Sequence, residues 1–239
     1  NLILNQRIEA RNPFVSRQVW KENTGAPLES FEGLDVYAGL DLSSVNDLTA
    51  LVLIAKVGAT WHVKPTFWLP EVGLAEKART DRVAYDVWAK QGYLETTPGR
   101  AIEYVFIAAC LRKLFDTCNV VALGFDRYNM RFLKPWLVLA GFTPEELERF
   151  VEFGQGFQSM SPALREFESL LLAKKLEHGG HPVLSMCAAN ATIVKDPTGA
   201  QKFTKQKTTG RIDGMVALAM AIAMTTNPAA EVKPKPMIH

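Results

Sequence analysis

The chain has 239 residues, of which 48% are hydrophobic and 22% are charged, and its formal net charge is only +2. This length and balance indicate a folded domain with a sizeable core, and they exclude a charge-rich disordered chain. Any affinity for nucleic acid must therefore come from a local basic patch, because bulk charge will not supply it. Three scattered cysteines exclude a disulfide framework and a cysteine zinc site, and they suit a reducing cytoplasm. The most apolar run, residues 215–224, is about half the length needed to cross a bilayer, so we expect no membrane segment.

The first part of the chain predicts a connector followed by three strands. Residues 1–32 are mixed in polarity and are broken by proline and glycine, so we interpret them as a connector. From Leu34 onward three strand-like runs follow, LDVYAGLD, TALVLIAKV and WHVKPTFWL, and the short polar links between them indicate antiparallel hairpins. Pro65 interrupts the third run, and proline is tolerated mainly at sheet edges or bulges, so we expect this strand at an edge.

Helices and one further strand are predicted in the middle of the chain. Apolar residues recur with helical spacing over residues 75–90 and 102–118. The run VVALGF, residues 120–125, is continuously apolar between helical patterns, which is typical of a parallel strand buried on both faces. A helix over residues 129–140 should follow, with Gly141 as its stop. The order of elements therefore predicts an α/β fold in which a mixed sheet is flanked by helices.

The C-terminal part of the chain is predicted to be mainly helical. A capping box at Thr143 predicts a short helix, and Ser161–Pro162 predicts the start of a longer helix that Gly179 ends. A loop-rich stretch and a basic segment then lead to a final helix over residues 211–224. The Pro-rich tail, residues 227–239, is expected to be disordered.

Three aspartates stand at the ends of apolar elements. Asp41 closes the first strand in GLDLS, Asp126 follows the buried strand in GFDRY, and Asp213 opens the final helix in RIDGMVALAMAIAM. In mixed α/β sheets functional clefts lie beyond the carboxyl ends of strands, and a carboxylate on a buried helix is costly unless it is paired or bound to a metal. Three converging acids would repel one another without cations, and Mg²⁺ or Mn²⁺ prefers such oxygen ligands. Two such ions about 3.5–4 Å apart can promote hydrolysis of a phosphodiester bond.

Each acid also has a simpler interpretation. A single aspartate at a strand end is commonly a turn or cap residue, and Asp213 could simply complement the dipole of its helix. Asp47, which follows Asp41 closely, is either an auxiliary acid of the same site or a hairpin-turn acid that bonds its own backbone. The combination of acids beside apolar segments therefore carries more weight than any one of them.

A basic segment lies directly before Asp213. It contains Lys202, Lys205, Lys207 and Arg211. As a DNA-binding segment it would grip the phosphate backbone near the metals, and Arg211 could also stabilise charge on the cleaved phosphate. The alternative is an ordinary solvated face of charged side chains.

Five segments in a fixed order give the chain a family resemblance. They are GLDLSSVNDLTALVLI, GFDRYNMRFLKPWL, FGQGFQSMSPALREFESLL, GGHPVLSM and KTTGRIDGMVALAMAIA. Together they resemble the C-terminal nuclease domain of the large terminase subunit of tailed bacteriophages. The resemblance implies a ribonuclease H-like domain over residues 33–226 that cuts double-stranded viral DNA during genome packaging. It also implies that Asp41, Asp126 and Asp213 bind two metal ions, with Asp41 bridging both.

The same resemblance implies the surroundings of the domain. Its partners would be double-stranded DNA, an N-terminal ATPase domain of the same protein, and the portal and small terminase subunits, in the cytoplasm of a host bacterium. The chain starts at Asn1 and contains no Gly-x-x-x-x-Gly-Lys-Ser/Thr phosphate loop, so we expect residues 1–32 to connect it to that ATPase domain in a longer protein. Two alternatives stay open: another ribonuclease H-like nuclease of the junction resolvase or transposase type, and a non-catalytic module that docks to the portal.

Overall fold

The computed structural model describes residues 12–43, 47–204 and 210–226, and these residues form a mixed α/β fold. In chain order the elements are α1 (Arg17–Glu22), β1 (Asp35–Asp41), β2 (Thr49–Val57), β3 (Thr60–Pro70), α2 (Leu74–Asp81), α3 (Tyr85–Lys90), β4 (Glu95–Thr97), α4 (Tyr104–Thr117), β5 (Asn119–Phe125), α5 (Arg127–Leu139), α6 (Pro144–Leu147), β6 (Phe150–Glu152), α7 (Phe157–Leu172), β7 (Leu176–Glu177), α8 (Pro182–Asn190), β8 (Thr192–Lys195), β9 (Gln201–Thr204) and α9 (Asp213–Met224). The predicted tail, residues 227–239, lies outside the described residues.

The main sheet confirms the predicted mixture of strand directions. Its strands follow the order β4-β3-β2-β1-β5-β6, and β7 also pairs with β3. Strands β1, β2 and β3 are joined as antiparallel neighbours, whereas β5 runs parallel to both β1 and β6. Strand β5 is buried along most of its length, as its continuous apolar run predicts. The carboxyl ends of β1 and β5 therefore lie side by side at one end of the sheet.

Helices cover both faces of this sheet, and the face is set by the alternation of side chains along β1. Val36, Ala38 and Leu40 point into a core formed with α4 and α5. The opposite face packs against α7, α8 and α9, and Gly39 lies on that side. A Cβ atom on Gly39 would clash with the carbonyl oxygen of Ala217 and would lie 2.8 Å from the backbone nitrogen of Ala221. Gly39 thus allows the backbone of α9 to rest directly on β1.

The edge prediction for the third strand is right for its middle and wrong for its ends. Pro65 lies opposite Val52 of β2, and β4 and β7 pair only with the two ends of β3. The segment around Pro65 is left without a second neighbour among the described strands, so its missing N–H costs no ladder bond there.

The predicted start of the long helix at Ser161–Pro162 is wrong. Helix α7 begins at Phe157 and contains Pro162 in its interior, and it ends at Leu172 rather than at Gly179. The Ser161 hydroxyl is buried and accepts a hydrogen bond from the backbone N–H of Gln201, so it joins α7 to β9 and caps nothing. Met160 and Ser161, in the turn before Pro162, are buried in the core. This burial outweighs the preference of proline for the first turn of a helix.

Several elements were missed because their side chains lack a clear period. The stretch expected to be loop-rich contains α8, which is apolar on most sides, and the β8–β9 hairpin. The predicted helical run over residues 75–90 is two helices, because Arg82 adopts a left-handed conformation with φ +55° and ends α2. The break at Arg82 is local, since its backbone N–H donates to the carbonyl oxygens of Ala78 and Arg79.

The segment predicted as a connector is folded against the domain in its described part. Phe14 and Trp20 are buried in the same core as α7, α8 and α9. Trp20 stacks on the ring of His178 at a centroid distance of 3.9 Å, and its indole N–H donates to the Ser185 hydroxyl at 3.2 Å. The domain boundary at residue 33 stays a prediction, but side chains from both sides of it share one core. No helix among the described residues is long and apolar enough to span a bilayer.

Candidate active site

The parallel register between β1 and β5 brings Asp41 and Asp126 together. Leu40 is the partner of Phe125, and each aspartate is the next residue in its chain. Neighbouring strands lie about 4.8 Å apart, so the two carboxylates start from adjacent positions on one face of the sheet. Both side chains are partly exposed. This juxtaposition depends on strand pairing and is absent from any local sequence pattern.

Asp213 reaches the same place from above the sheet. Asp41 pairs with Ala50 of β2, and Ala50 pairs with Phe67 of β3, which defines one row across three strands. Gly214, the second residue of α9, lies over this row, because a Cβ atom there would be 2.9 Å from the Phe67 ring. Asp213 is only 5% exposed and is the first residue of the helix, where the helix dipole favours a negative charge. The three aspartates therefore converge on one end of the sheet from β1, β5 and α9.

A buried thiol lies near two of the three aspartates. Cys187 of α8 has no exposed surface. Burial raises the pKa of the Cys187 thiol, and the charges of Asp213 and Asp41 raise it further. The charges of Asp213 and Asp41 therefore both act on the Cys187 thiol.

The donor set suits a hard divalent cation, although the side chains are not gathered into a finished cage. Among residues 12–43, 47–204 and 210–226, no three His, Cys, Asp or Glu side chains are grouped so that they could hold a metal ion. The Asp126 carboxylate instead caps α5 by accepting a hydrogen bond from the Tyr128 N–H at 2.9 Å. The available ligands are carboxylate oxygens, which Mg²⁺ and Mn²⁺ prefer. The chemistry of these ligands therefore fits a hard divalent metal, while the Asp126 side chain is engaged at the start of α5.

Asp47 and Arg211 form an ion pair beside this group of acids. The Arg211 guanidinium contacts the Asp47 carboxylate, and its other terminal nitrogen lies 3.5 Å from the carboxylate of Asp81 in α2. The Arg211 side chain is 19% exposed and that of Asp81 is 9% exposed, so this second pair is largely screened from water. Arg211 was predicted as a DNA-binding residue, but here both ends of its guanidinium meet acids of the protein itself.

Asp81 and Tyr85 belong to this network and were missed in the sequence. The Tyr85 hydroxyl donates to Asp81 at 3.3 Å, across one turn between the end of α2 and the start of α3. Burial raises the pKa of the Tyr85 phenol, and the Asp81 charge raises it further, so the hydroxyl stays protonated and can donate. The spacing of an acid and a tyrosine four residues apart was the only available signal, and it does not reveal the distant Arg211.

Replacing Asp81 with Asn should destabilise the fold by about 2 kcal/mol, because it removes the charge that pairs with the largely buried Arg211 and that accepts the Tyr85 hydrogen bond. The matched control is Asp116→Asn, which weakens the Arg112–Asp116 pair at 2.9 Å, where the Asp116 side chain is exposed. That change should cost less than about 0.5 kcal/mol. Urea unfolding at neutral pH measures both values. Equal costs for the two variants would contradict a structural role for the Asp81–Arg211 pair.

The remaining residues of the predicted basic segment are only partly described. Lys202 lies on β9, with its ammonium 4.7 Å from the centre of the Phe157 ring, while Lys205 and Lys207 lie outside the described residues. Strand β9 ends at Thr204, shortly before Arg211 and α9, so the segment runs from the β8–β9 hairpin to Asp213.

Comparison with known proteins identifies the family. The family model described as "Terminase large subunit, endonuclease domain" matches residues 2–229. The chain is 43% identical over 233 residues to the large terminase subunit of Enterobacteria phage HK97, which covers 97% of this chain and 45% of that protein. The chain thus spans about half the length of the curated relatives that it matches.

Solved structures agree with this relationship. The crystal structure of the HK97 bacteriophage large terminase matches with a TM-score of 0.81 at 43% identity, over 93% of this chain and 46% of that chain. The large terminase nuclease of thermophilic phage G20c, solved with bound magnesium, matches with a TM-score of 0.57 at 10% identity, over 90% of this chain and 98% of that chain. The second likeness shows the fold alone. The chain therefore belongs to the family of terminase large subunit endonuclease domains, and its mixed sheet is the ribonuclease H-like fold of that family.

Proposed function

We propose that this domain is a divalent-metal-dependent endonuclease that cuts double-stranded viral DNA during genome packaging. The observation that carries the proposal is the convergence of Asp41, Asp126 and Asp213 at one end of the sheet. Membership of the terminase endonuclease family supports DNA as the substrate and favours this function over a junction resolvase, a transposase or a non-catalytic docking module. Bound magnesium in the G20c nuclease supports a divalent ion as the cofactor.

The three aspartates would hold two Mg²⁺ or Mn²⁺ ions. Such ions, when bound, stabilise negative charge on the scissile phosphate and lower the pKa of water. Strand β1, which carries Asp41, neighbours β5 in the sheet and carries α9 on its face. This central position supports Asp41 as the residue shared by both ions. Asp126 and Asp213 would then hold one ion each, with the N-terminus of α9 reducing the cost of the buried Asp213 charge.

Contacts with the DNA backbone are assigned to Lys202, Lys205, Lys207 and Arg211. Lys202 lies on β9, and Arg211 lies two residues before Asp213, which begins α9. The basic segment thus leads along the chain to one of the aspartates, which supports its position close to the cut phosphate. Arg211 would act from within its ion-pair network with Asp47 and Asp81. Asp47 would serve as an auxiliary acid that orients Arg211, a role distinct from direct metal binding.

The proposal also extends to the whole protein. Because the matched relatives are about twice as long as this chain, we propose an ATPase domain in the same protein, with residues 1–32 as the link to it. The portal and the small terminase subunit would be its partners in the packaging machine, in the cytoplasm of the host bacterium.

A plasmid assay tests the proposal directly. Supercoiled plasmid incubated with the protein and Mn²⁺ should become nicked and then linear, and an excess of EDTA should stop the reaction, because the acids alone cannot compensate for charge at the phosphate. Addition of Mg²⁺ or Mn²⁺ beyond the EDTA should restore cutting. Cutting that persists undiminished in EDTA would overturn metal dependence, and no cutting with either ion would overturn the nuclease assignment of this domain.

A further inference from the structure

Helix α5 carries an exposed basic stripe that begins next to the candidate site. Asp126 is its N-cap, and Arg127, Arg131 and Lys134 follow on the exposed side of the helix. Helix α5 contains no acidic residue. These three cations are separate from the basic segment before α9, which is the only basic cluster that the sequence pattern suggested. We call them the α5 stripe.

Aromatic side chains lie beside the α5 stripe and are unusually exposed. Tyr128 is 69% exposed and Phe132 is 45% exposed. The Arg127 guanidinium lies 5.4 Å from the centre of the Tyr128 ring, and that of Arg131 lies 4.6 Å from the centre of the Phe132 ring. Cations clustered along one helix are typical of nucleic-acid-binding surfaces, where they meet phosphates, and a tyrosine hydroxyl beside them can also contact the phosphate or the sugar.

The electrostatic balance of the α5 stripe leaves a positive charge available for an anionic partner. Arg127 lies 3.7 Å from Glu152, but both side chains are exposed, and such pairs contribute little. Within the described part of the chain, Arg131 and Lys134 have no carboxylate within salt-bridge distance. A polyanion therefore complements the cations of this surface, which an apolar protein surface would leave unpaired.

Hydrogen bonds fix the position of this surface relative to the aspartates. The Asn129 side-chain amide of α5 donates to the carbonyl oxygen of Leu42 at 2.6 Å. The Tyr104 hydroxyl of α4 donates to the carbonyl oxygen of Ser43 at 2.7 Å, and the Tyr104 ring stacks on Phe132. Leu42 and Ser43 directly follow Asp41, so the exposed face of α5 is continuous with the end of the sheet where the acids converge.

We propose that the α5 stripe, together with Tyr128, binds the phosphate backbone of double-stranded DNA and leads the duplex to the aspartates. Arg127 and Lys134 are seven residues apart, about 10 Å along the helix, so the three cations can meet neighbouring phosphates on one side of the duplex. This inference rests on the proposed function, because it names the surface by which that same site receives its substrate. It adds a binding surface on the side of the site opposite to the segment that contains Lys202 and Arg211.

DNA binding without cutting gives the test. Affinity of the protein for a labelled duplex is measured by fluorescence anisotropy in EDTA at several salt concentrations. In the double variant R131A/K134A, the slope of log affinity against log salt concentration should become shallower by the contribution of two phosphate contacts, about 0.9 each. At low salt this variant should bind at least about tenfold more weakly. The variant R131Q/K134Q should behave in the same way, which excludes an effect of side-chain truncation. Both sites are exposed, and thermal unfolding should confirm an intact fold.

The matched control removes two exposed cations from another helix. The variant R17A/K21A takes the same charge from α1, which packs against α7 and α8 instead of the acid-bearing strands. It should leave the salt slope within about 0.3 of the wild-type value, since it removes no phosphate contact. An unchanged slope and affinity in R131A/K134A, or an equal loss in R17A/K21A, would overturn the proposal. The first result would leave the exposed rings of α5 as a protein-docking face.

The binding readout separates this inference from the proposed nuclease function. If the protein binds DNA through the α5 stripe but cuts nothing with Mn²⁺, the binding surface stands and the nuclease assignment fails. If the protein cuts plasmid normally and R131A/K134A binds and cuts as the wild type does, the nuclease assignment stands and the α5 stripe fails. Under the proposal, saturating DNA should restore most of the maximal cutting rate of R131A/K134A, because the change raises KM and leaves the acids intact.

Discussion

Replacing Asp213 with Asn is expected to reduce the rate of DNA cutting by more than about 100-fold and to leave the fold intact. Loss of a group that only orients a metal ligand typically lowers metal affinity or activity 10–100-fold. Loss of the charge of a ligand itself should therefore lower them by at least the upper figure. Asn has the shape of Asp and can occupy the first turn of α9 without strain. It removes the negative charge that would hold a cation at this end of the sheet. The effect should therefore appear in metal affinity as well as in rate.

The experiment compares initial rates of plasmid cutting in Mn²⁺ with Mn²⁺ binding measured by calorimetry. Asp35→Asn is the matched control, because Asp35 lies at the opposite end of β1 from Asp41 and accepts a hydrogen bond from Asn119 at 2.7 Å. The Asp35 variant should cut and bind metal as the wild type does. Asp213→Asn should also keep its affinity for duplex DNA in EDTA. Cutting by Asp213→Asn within a few-fold of the wild-type rate would contradict the three-aspartate site.

Replacing Gly39 with Ala should cost at least about 3 kcal/mol of stability, the upper end for overpacked cores. The added methyl group would meet backbone atoms of Ala217 and Ala221, which cannot rotate away as a flexible side chain would. Strand β1 and helix α9 would have to separate, and these are the elements that carry Asp41 and Asp213. We therefore expect a loss of cutting that accompanies the loss of stability, since the elements that carry the two acids would move apart.

Gly156→Ala is the control for this prediction. Gly156 has an ordinary negative φ of −80°, and a Cβ atom there would meet nothing within 4 Å. The change should alter stability by less than about 1 kcal/mol, because only the preference at the N-cap of α7 is affected. Urea unfolding of both variants, followed by circular dichroism, gives the comparison. A Gly39→Ala protein as stable as Gly156→Ala would show that α9 does not rest on β1 as closely as described.

The sequence by itself determined the elements whose signals are local. The alternating and continuous apolar runs predict β1, β2, β3 and β5, and the capping box at Thr143 predicts α6, where both of its hydrogen bonds are present. The final helix, apolar after Asp213, is α9, with every residue buried except Ala223. The ordered motifs also identify the family, because they combine strand ends, turns and acids whose order along the chain needs no knowledge of their contacts.

Tertiary structure alone decided which of these residues meet. The pairing of Leu40 with Phe125 sets Asp41 beside Asp126, and the close contact at Gly39 brings Asp213 over the same row. Arg211 lies in an ion-pair network whose acid Asp81 has no local relation to it. Proline at 162 does not begin α7, because burial of the preceding turn outweighs its local preference. Local pattern fixes part of the secondary structure and the kind of chemistry, while strand register and helix packing, which depend on distant residues, fix the site.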